Sequence, residues 1–249
     1  KVLGCEALIR WKNPELGELY PRDFLSEARM LHLIASFDEF VIRNSVERNI
    51  ELAGSLGHFI ELSVNVSADL CLRDDFAKRL KEFLESRKYP ESKLIIEISE
   101  SEFMAQPEKF SRAVKLARYS GIRVCLDNFG SSASFLGAVN GYLFDKVTVD
   151  RSIISRLRNR EDAPELLRLL MTYAQTCSKR ITVEGVENID DLRKFSGLPL
   201  ECLQGFYFSH PLSAELFEDF VFSHAKAAPS SAAALSPAVS ASSASQVLF

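Results

Sequence analysis

The sequence lacks a long apolar run and an excess of basic charge. No apolar stretch in its 249 residues approaches the roughly 20 residues of a membrane span, and no signal peptide opens the chain. The net charge of -4 and the pI near 5.7 provide no general attraction to nucleic acid or to an anionic membrane. We therefore expect a cytoplasmic domain that does not bind nucleic acid, and a membrane-attached parent protein would be compatible with this.

The sequence also lacks a disulfide framework, a zinc-ligand spacing, a Walker-type glycine-rich loop and a solenoid repeat. Its five cysteines are odd in number, widely spaced and mostly set in apolar runs, which is typical of reduced core residues. What the chain does have is 47% hydrophobic residues, enough to bury the core of one large α/β domain.

Apolar runs rich in β-formers alternate with amphipathic helical stretches. This alternation predicts βα units that feed a parallel sheet. The predicted strands cover residues 2–9, 59–66, 94–98, 123–127, 145–149, 180–184 and 203–208. The predicted helices include residues 74–87, 107–119, 164–179, 189–195 and 213–224. Residues 225–249 are nearly all Ala, Ser, Pro and Val, which predicts a disordered tail after a domain over residues 1–224.

Polar residues fall at or just after the ends of most of these strands. In a barrel of parallel strands those ends share one face, so carboxylates far apart in sequence converge there. Taken singly, each is better explained as an ordinary loop residue. Recurrence over five or six strands favours a metal site, because acids within apolar runs are costly to bury unless they are paired or ligated. The residues are Glu6, Asn65, Glu97, Asp127, Thr148 with Asp150, and Glu184.

The stretch from Val124 to Gly130 is the centre of this pattern. It is a short apolar run that ends in Asp127, Asn128 and a glycine. Two adjacent aspartates at this point could each face a different hard cation. This chain has an amide in the second position, so the sequence raises the question of what Asn128 does there.

Seven blocks of the sequence, in order, resemble the bacterial EAL domain family, which hydrolyses the second messenger cyclic di-GMP. The resemblance covers residues 2–222 and implies a modified TIM (β/α)8-type barrel in which one strand runs against the others. The chain starts five residues before Glu6 and lacks the family's first strand, so we expect a piece of a longer protein with upstream sensory or signalling domains. The blocks are Glu6-Ala7-Leu8 with Arg10-Trp11, Asn65-Val66-Ser67, Glu97-Ile98-Ser99-Glu100-Ser101, Asp127-Asn128-Phe129-Gly130, Asp150-Arg151-Ser152, Glu184-Gly185-Val186-Glu187 and Gln204-Gly205-Phe206-Tyr207-Phe208-Ser209.

The resemblance assigns roles position by position. It implies one Mg²⁺ or Mn²⁺ site with four oxygen ligands and a second site that Glu184 shares with Asp127. It also implies that Arg10 holds the phosphate or guanine region of the ligand, that Gln204 orients water or ligand, and that Glu100 braces the loop after Asp127. The implied metal ligands are Glu6, Asn65, Glu97, Asp127 and Glu184; the implied ligand-binding residues are Leu8, Arg10, Asn65, Asp150, Glu187 and Gln204; and the catalytic positions are Asn128, Thr148, Glu184 and Gln204.

Two of the catalytic positions depart from the family pattern. Thr148 stands where the family has the lysine that assists the attacking water, and Lys146 lies two residues earlier on the same face, about 6.6 Å down the strand. Asn128 replaces the second aspartate, which removes one unit of charge from the second metal site. We therefore expect one metal site to be retained and the second to be weakened. The loop over residues 130–136 is also altered, and in the family this loop couples dimerisation to activity. The sequence leaves open whether the chain forms a homodimer.

Three functions remain in view. The first is a receptor that binds cyclic di-GMP with little or no hydrolysis, which the two substitutions favour. The second is a working phosphodiesterase that opens cyclic di-GMP to linear pGpG by attack of a metal-activated water. The third is a protein-interaction scaffold without ligand, against which the retained acids argue because a scaffold has no need of them.

Overall fold

The computed structural model describes residues 2–129, 144–150, 178–195, 198, 200–226 and 243–248, together with isolated helical positions between 165 and 176. Side chains are described up to His224. The β-strands are β1 (Gly4–Leu8), β2 (Trp11–Asn13), β3 (Gly17–Leu19), β4 (Glu61–Asn65), β5 (Leu94–Ser99), β6 (Arg123–Phe129), β7 (Lys146–Val149), β8 (Arg180–Val183), β9 (Cys202–Gln204), β10 (Leu212–Ser213) and β11 (Ser243–Leu248). The α-helices are α1 (Pro21–Met30), α2 (Ile34–Leu56), α3 (Ala68–Cys71), α4 (Phe76–Ser86), α5 (Glu100–Ala105), α6 (Pro107–Tyr119), α7 (Ile189–Lys194) and α8 (Ala214–Lys226).

One curled sheet carries the fold. Its strands follow the order β1-β4-β5-β6-β7-β8-β9, and each neighbouring pair is parallel. The helices α4 and α6 lie between consecutive strands and bury apolar residues against the sheet, among them Leu84, Phe110 and Val114. This is the α/β barrel architecture that the alternating pattern predicted.

The seven predicted strands are confirmed in place with bounds that differ by a few residues, and β5 and β6 extend beyond their predicted ends to Ser99 and Phe129. The prediction over residues 203–208 is wrong beyond Gln204, because residues 206–208 form a turn. The helix Pro107–Tyr119 matches its predicted bounds, whereas the 23-residue helix α2 was not among the predicted helices. Half of the residues of the predicted helix over 164–179 lie outside the described part of the chain.

Strand β11 lies within the tail for which disorder is predicted. It pairs in parallel with β1 on one side, Cys5 facing Ser245, and with β9 on the other, Leu203 facing Ser243. Most of residues 225–249 lie outside the described part of the chain, and a disordered tail over that range stays a prediction. A strand edge presents unpaired N–H and C=O groups that any extended segment can satisfy, whatever its side-chain pattern. Every pairing of this sheet among the described strands is parallel, so the antiparallel strand that the family resemblance implies is not among them.

Among the helices in the described part of the chain, none combines the length and the apolar character that crossing a membrane requires.

A charged network forms the floor of the barrel, at the amino ends of the strands. Glu61 accepts hydrogen bonds from Arg123 at 2.6 Å and from Arg180 at 3.0 and 3.1 Å, and Arg180 also pairs with Glu201. Burial alone would raise the pKa of Glu61, but the two guanidinium groups hold it below its ordinary value. The network links strands β4, β6 and β8 across the barrel, so we expect it to stabilise the closed sheet.

Replacing Glu61 by Gln should lower the free energy of unfolding by about 2 kcal/mol or more at pH 7, because two partly buried guanidinium groups lose their shared carboxylate. The pKa of Glu61 is depressed in the folded state, so its stabilisation is present above the ordinary value of 4.5 and is lost as pH falls through the lower folded value. Urea unfolding of both proteins from pH 7 to pH 3 measures this difference, which should shrink at the acid end.

The matched control is Glu82→Gln, which removes an exposed ion pair of α4 between Lys78 and Glu82 at 3.9 Å. It should change stability by less than about 0.5 kcal/mol. Equal effects of the two substitutions would show that the floor network does not hold the sheet together.

Candidate ligand and metal site

Carboxylates from four different segments meet at the carboxyl end of the barrel. Glu6 lies on β1, Glu97 on β5 and Asp127 on β6, and each is less than 10% exposed. Glu184 directly follows β8. In the register of the sheet, Glu97 stands beside Asn65, and Asp127 stands beside Ser99. Alternation along the strands turns these side chains inward, so acids more than a hundred residues apart in sequence come together.

Two amide side chains hold Glu6. Asn65 Nδ2 donates to Glu6 Oε1 at 2.8 Å, and Gln204 Nε2 donates to Glu6 Oε2 at 2.8 Å. Both oxygens of this buried carboxylate are therefore hydrogen-bonded, which offsets part of the free energy of burying it. Three of the residues chosen from the sequence thus lie in direct contact, although they come from opposite ends of the chain.

The acids raise one another's proton affinity. Burial, reinforced by the charge of Glu97, raises the pKa of Glu6 to about 7. Burial followed by the charges of Glu97 and Glu6 raises the pKa of Asp127 well above its usual range, and burial with the charges of Glu6 and Asp127 does the same for Glu184. Like charges crowded in a poorly solvated place favour a bound cation, which would relieve their repulsion.

Asn128 has an unusual backbone conformation next to Asp127. Its φ is +56°, and the pairing of β6 with β7 shifts register between Leu126 and Phe129. Asparagine tolerates this left-handed conformation better than most residues. Its side-chain N–H donates to Asp127 Oδ2, whereas the buried Asp127 Oδ1 has no hydrogen-bond partner. A buried, unsatisfied carboxylate oxygen is suited to a hard cation.

The donor set fits Mg²⁺ or Mn²⁺ by its chemistry, since all its members are oxygen donors. Within the described residues, however, no group of three or more His, Cys, Asp or Glu side chains has the arrangement of a metal site. N–H donors from Asn65, Gln204, Asn128 and Lys146 occupy carboxylate oxygens instead. The acids lie close together, and N–H donors contact four of their carboxylate oxygens.

The two residues of β7 that face the interior lie at different depths. Thr148 is 1% exposed, and its hydroxyl lies 3.2 Å from Cys125 Sγ. Lys146 extends its ammonium group to 3.5 Å from Glu97 Oε1, with its side chain 13% exposed. The contact with Glu97 is a site interaction that the sequence reasoning missed. The sequence contains a signal for this contact, because positions 146 and 148 share one face of the strand. How far the Lys146 side chain reaches, however, depends on packing inside the barrel.

A cavity of about 610 Å³ opens beside Glu184 and Gln204. Arg10 lines it and stacks over the ring of Tyr20, 4.7 Å from the ring centre. Phe206 is 49% exposed, lines the same cavity and packs against His210. A guanidinium group and an exposed aromatic ring facing one cavity suit a ligand with both phosphate and planar base groups.

The remaining predicted site residues lie around this region. Leu8 ends β1 and is half-buried, Glu187 lines the cavity, and Asp150 follows β7 with its N–H bonded to the carbonyl of Phe129 at 3.2 Å. Glu100 is fully buried at the start of α5. The loop over residues 130–136, which Glu100 is expected to brace, and Arg151-Ser152 lie outside the described residues.

The turn after β9 fixes Gln204. The N–H of Val186 donates to the carbonyl of Gln204 at 3.1 Å, and the N–H of Tyr207 donates to the carbonyl of Val186 at 3.0 Å. The backbone of Gly205 passes so close that a Cβ there would lie 2.2 Å from the Val186 oxygen. Glycine is therefore required for the two site loops to pack against each other.

The arrangement is a cluster of buried acids at the mouth of a parallel barrel, next to a cavity that Arg10 lines. The family model described as the EAL domain matches residues 1–211, and the chain belongs to this family. The TIM-barrel-type fold and the EAL assignment made from the sequence are thus confirmed.

Among curated proteins, the chain is 27% identical over 218 residues to the cyclic di-GMP phosphodiesterase PdeR of Escherichia coli, covering 88% of this chain and 33% of that protein. It is 27% identical over 223 residues to the cyclic di-GMP phosphodiesterase NbdA of Pseudomonas aeruginosa, covering 89% and 28%. The chain spans about a third or less of these relatives. They are bacterial signalling proteins, and the sequence-based prediction of an EAL domain in cyclic di-GMP signalling is confirmed at that level.

Among solved structures, a phosphodiesterase named PaMucR, in complex with cyclic di-GMP, superposes with a TM-score of 0.79 at 26% identity, covering 87% of this chain and 88% of that one. The EAL domain of FimX from Pseudomonas aeruginosa, bound to cyclic di-GMP, superposes with a TM-score of 0.69 at 24% identity, covering 76% of each chain. The second likeness concerns the fold alone.

Replacing Gly205 by Ala should destabilise the protein by about 2 kcal/mol or more, because the new methyl group would collide with backbone atoms that cannot move aside independently. The matched control is Gly54→Ala within α2, where nothing lies within 4 Å of the added carbon. That change should be neutral or stabilising by up to about 1 kcal/mol. Guanidinium unfolding curves compare them, and a Gly205 variant as stable as the control would contradict the packing described for this turn.

Proposed function

We propose that this domain is a receptor for cyclic di-GMP that hydrolyses the dinucleotide slowly or not at all. The observation that carries the proposal is the inner face of β7. Thr148, at the position of the family's lysine, is buried against Cys125, and the ammonium of Lys146 is directed to Glu97. These contacts support the proposal, because the described partners of the two side chains are Cys125 and Glu97.

Ligand binding is supported by the groups that remain at the mouth. Arg10 offers a fork of N–H donors to a phosphate or a guanine carbonyl, and Tyr20 holds its guanidinium in place. Phe206 presents an aromatic face on which a base can stack. Gln204 is held by Glu6 and by the Gly205 turn at the edge of the same cavity.

Metal binding is part of this proposal. Glu6, Asn65, Glu97 and Asp127 would hold one Mg²⁺ or Mn²⁺, with Glu184 beside it. When bound, the ion would supply positive charge to the phosphate of the ligand. Asn128 donates an N–H to Asp127 where an aspartate would add a negative charge, so the second ion would be bound more weakly than the first. EAL phosphodiesterases in general depend on divalent metal, and the ion used by this chain is part of the proposal.

The alternative is an active phosphodiesterase that forms pGpG. It is favoured by the named activities of PdeR, NbdA and PaMucR, with which the chain shares 26–27% identity. The retained acids also favour it. Against it stand Asn128 and Thr148, because loss of a site charge and of a positioned lysine each removes transition-state stabilisation of about 10²-fold or more.

Replacing Arg10 by Ala should weaken cyclic di-GMP binding by about tenfold or more, since a charge-assisted contact to the ligand is lost. Isothermal titration in EDTA and then in Mg²⁺ measures the affinity. The control is Arg43→Ala, which removes another stacked arginine, 4.9 Å from the ring centre of Phe83 and away from the cavity. Unchanged affinity in the Arg10 variant would place the ligand elsewhere on the domain.

Restoring the family residues should recover hydrolysis. In Mn²⁺, the double substitution Asn128→Asp and Thr148→Lys should form pGpG at least about tenfold faster than the natural sequence, and each single substitution should do less because groups acting on one water are not additive. The lysine must extend from a buried position beside Cys125, so recovery should be partial. Fast pGpG formation by the natural protein would favour the phosphodiesterase over the receptor.

A further inference from the structure

Lys146 is the ammonium group that lies next to the acids in the described interior of the barrel. It starts β7, its side chain is 13% exposed, and Nζ lies 3.5 Å from Glu97 Oε1, whose own side chain is 3% exposed. A lysine buried this deeply needs a compensating negative charge. Glu97, a ligand position of the proposed metal site, provides it.

The charge of Lys146 acts on the acid cluster as a whole. It lowers the otherwise raised pKa values of Glu6, Asp127 and Glu184, after burial and the neighbouring carboxylates have raised them. Burial opposes the charged ammonium of Lys146, and Glu97, followed by Cys125, Cys202 and Glu6, holds its pKa above the ordinary value. The positive charge of Lys146 thus lies against Glu97 and acts on the neighbouring carboxylates, as the charge of a metal ion also would.

The other interior cations of the described barrel are committed to its floor. Arg123 and Arg180 share Glu61, and Arg180 also pairs with Glu201. They neutralise acids at the amino ends of the strands. Among these described cations, Lys146 is the one next to the acids of the opposite end, which are Glu6, Glu97, Asp127 and Glu184. Position 146 therefore supplies positive charge to one identifiable group of acids.

We propose that Lys146 is an internal counter-ion that holds the acid cluster together without metal and lowers its affinity for a divalent cation. This inference rests on the proposed metal site. Two positive charges on the ion and one on Lys146 would share the same poorly solvated carboxylates, and their repulsion opposes metal binding. A consequence for the receptor is that cyclic di-GMP binding depends little on metal, because the cluster already contains a cation.

Lys146→Met tests the inference, because methionine keeps most of the length of the side chain and removes its charge. By isothermal titration, this variant should bind Mn²⁺ at least about tenfold more tightly than the natural protein. The matched control is Lys179→Met, which removes a partly buried lysine that donates to the carbonyl of Phe144 at 2.6 Å on the floor side of the barrel. Its Mn²⁺ affinity should equal that of the natural protein.

Thermal unfolding in EDTA and in Mn²⁺ provides a second measurement, with Lys146→Gln as a second neutral variant. Both neutral variants should unfold at lower temperature in EDTA and gain more from Mn²⁺ than the natural protein gains, since the ion replaces the lost charge. Mn²⁺ affinity equal to or weaker than that of the natural protein would overturn the inference. So would failure of both variants to fold at saturating Mn²⁺, because a dication could then not substitute for the ammonium.

The same samples separate this inference from the proposed function. Equal Mn²⁺ binding by all the proteins overturns the counter-ion and leaves the metal site standing. Failure of every protein to bind Mn²⁺ overturns both the counter-ion and the metal site. Titration with cyclic di-GMP in EDTA tests the receptor proposal independently, because binding without metal requires neither the counter-ion nor the metal site.

Discussion

Repulsion among buried carboxylates is the constraint around which the upper half of this barrel is built. Parallel strands bring Glu6, Glu97 and Asp127 to one end, and Glu184 joins them from the following loop. So many acids with little water nearby are unstable unless donors or cations face them. Here amides hold Glu6, an amide caps one oxygen of Asp127, and an ammonium approaches Glu97. The site is thus a balanced set of charges and donors.

Charge is arranged in layers along the barrel axis. The floor carries the Glu61, Arg123, Arg180 and Glu201 network, and the mouth carries the acids. Side chains that alternate inward along a strand fall on successive layers, so a change of two positions moves a group from one layer to the next. This explains why Lys146 and Thr148 have different surroundings although they share a face. Lys146 pairs with Glu97 and therefore does not take the place of a lysine at position 148.

The two substitutions that separate this chain from the family pattern, at positions 128 and 148, therefore change the charges and donors around the acids. Asn128 exchanges a negative charge for an N–H donor, and Thr148 takes a positive charge away from the upper layer. In the proposed receptor, both changes affect chemistry at the phosphate more than recognition of the ligand. Arg10, Tyr20 and Phe206 line a cavity next to Glu184 and Gln204, and neither Asn128 nor Thr148 is among its described lining residues. Under this proposal the domain binds a cyclic dinucleotide through the cavity and needs no rapid turnover.

The sequence by itself determined the strands, the parallel barrel and the convergence of the acids, because alternation and strand-end position depend on local patterns that the chain carries in every segment. Tertiary structure decided the rest. Glu61 and Arg180 are 119 positions apart and meet because β4 and β8 face each other across the floor. Lys146 reaches Glu97 because the curled sheet places β5 and β7 on either side of β6. Strand β11 pairs between β1 and β9 because backbone groups there are available, which no side-chain pattern in the tail announces. Contacts of this kind depend on depth and distance in the closed sheet, and a linear pattern contains neither.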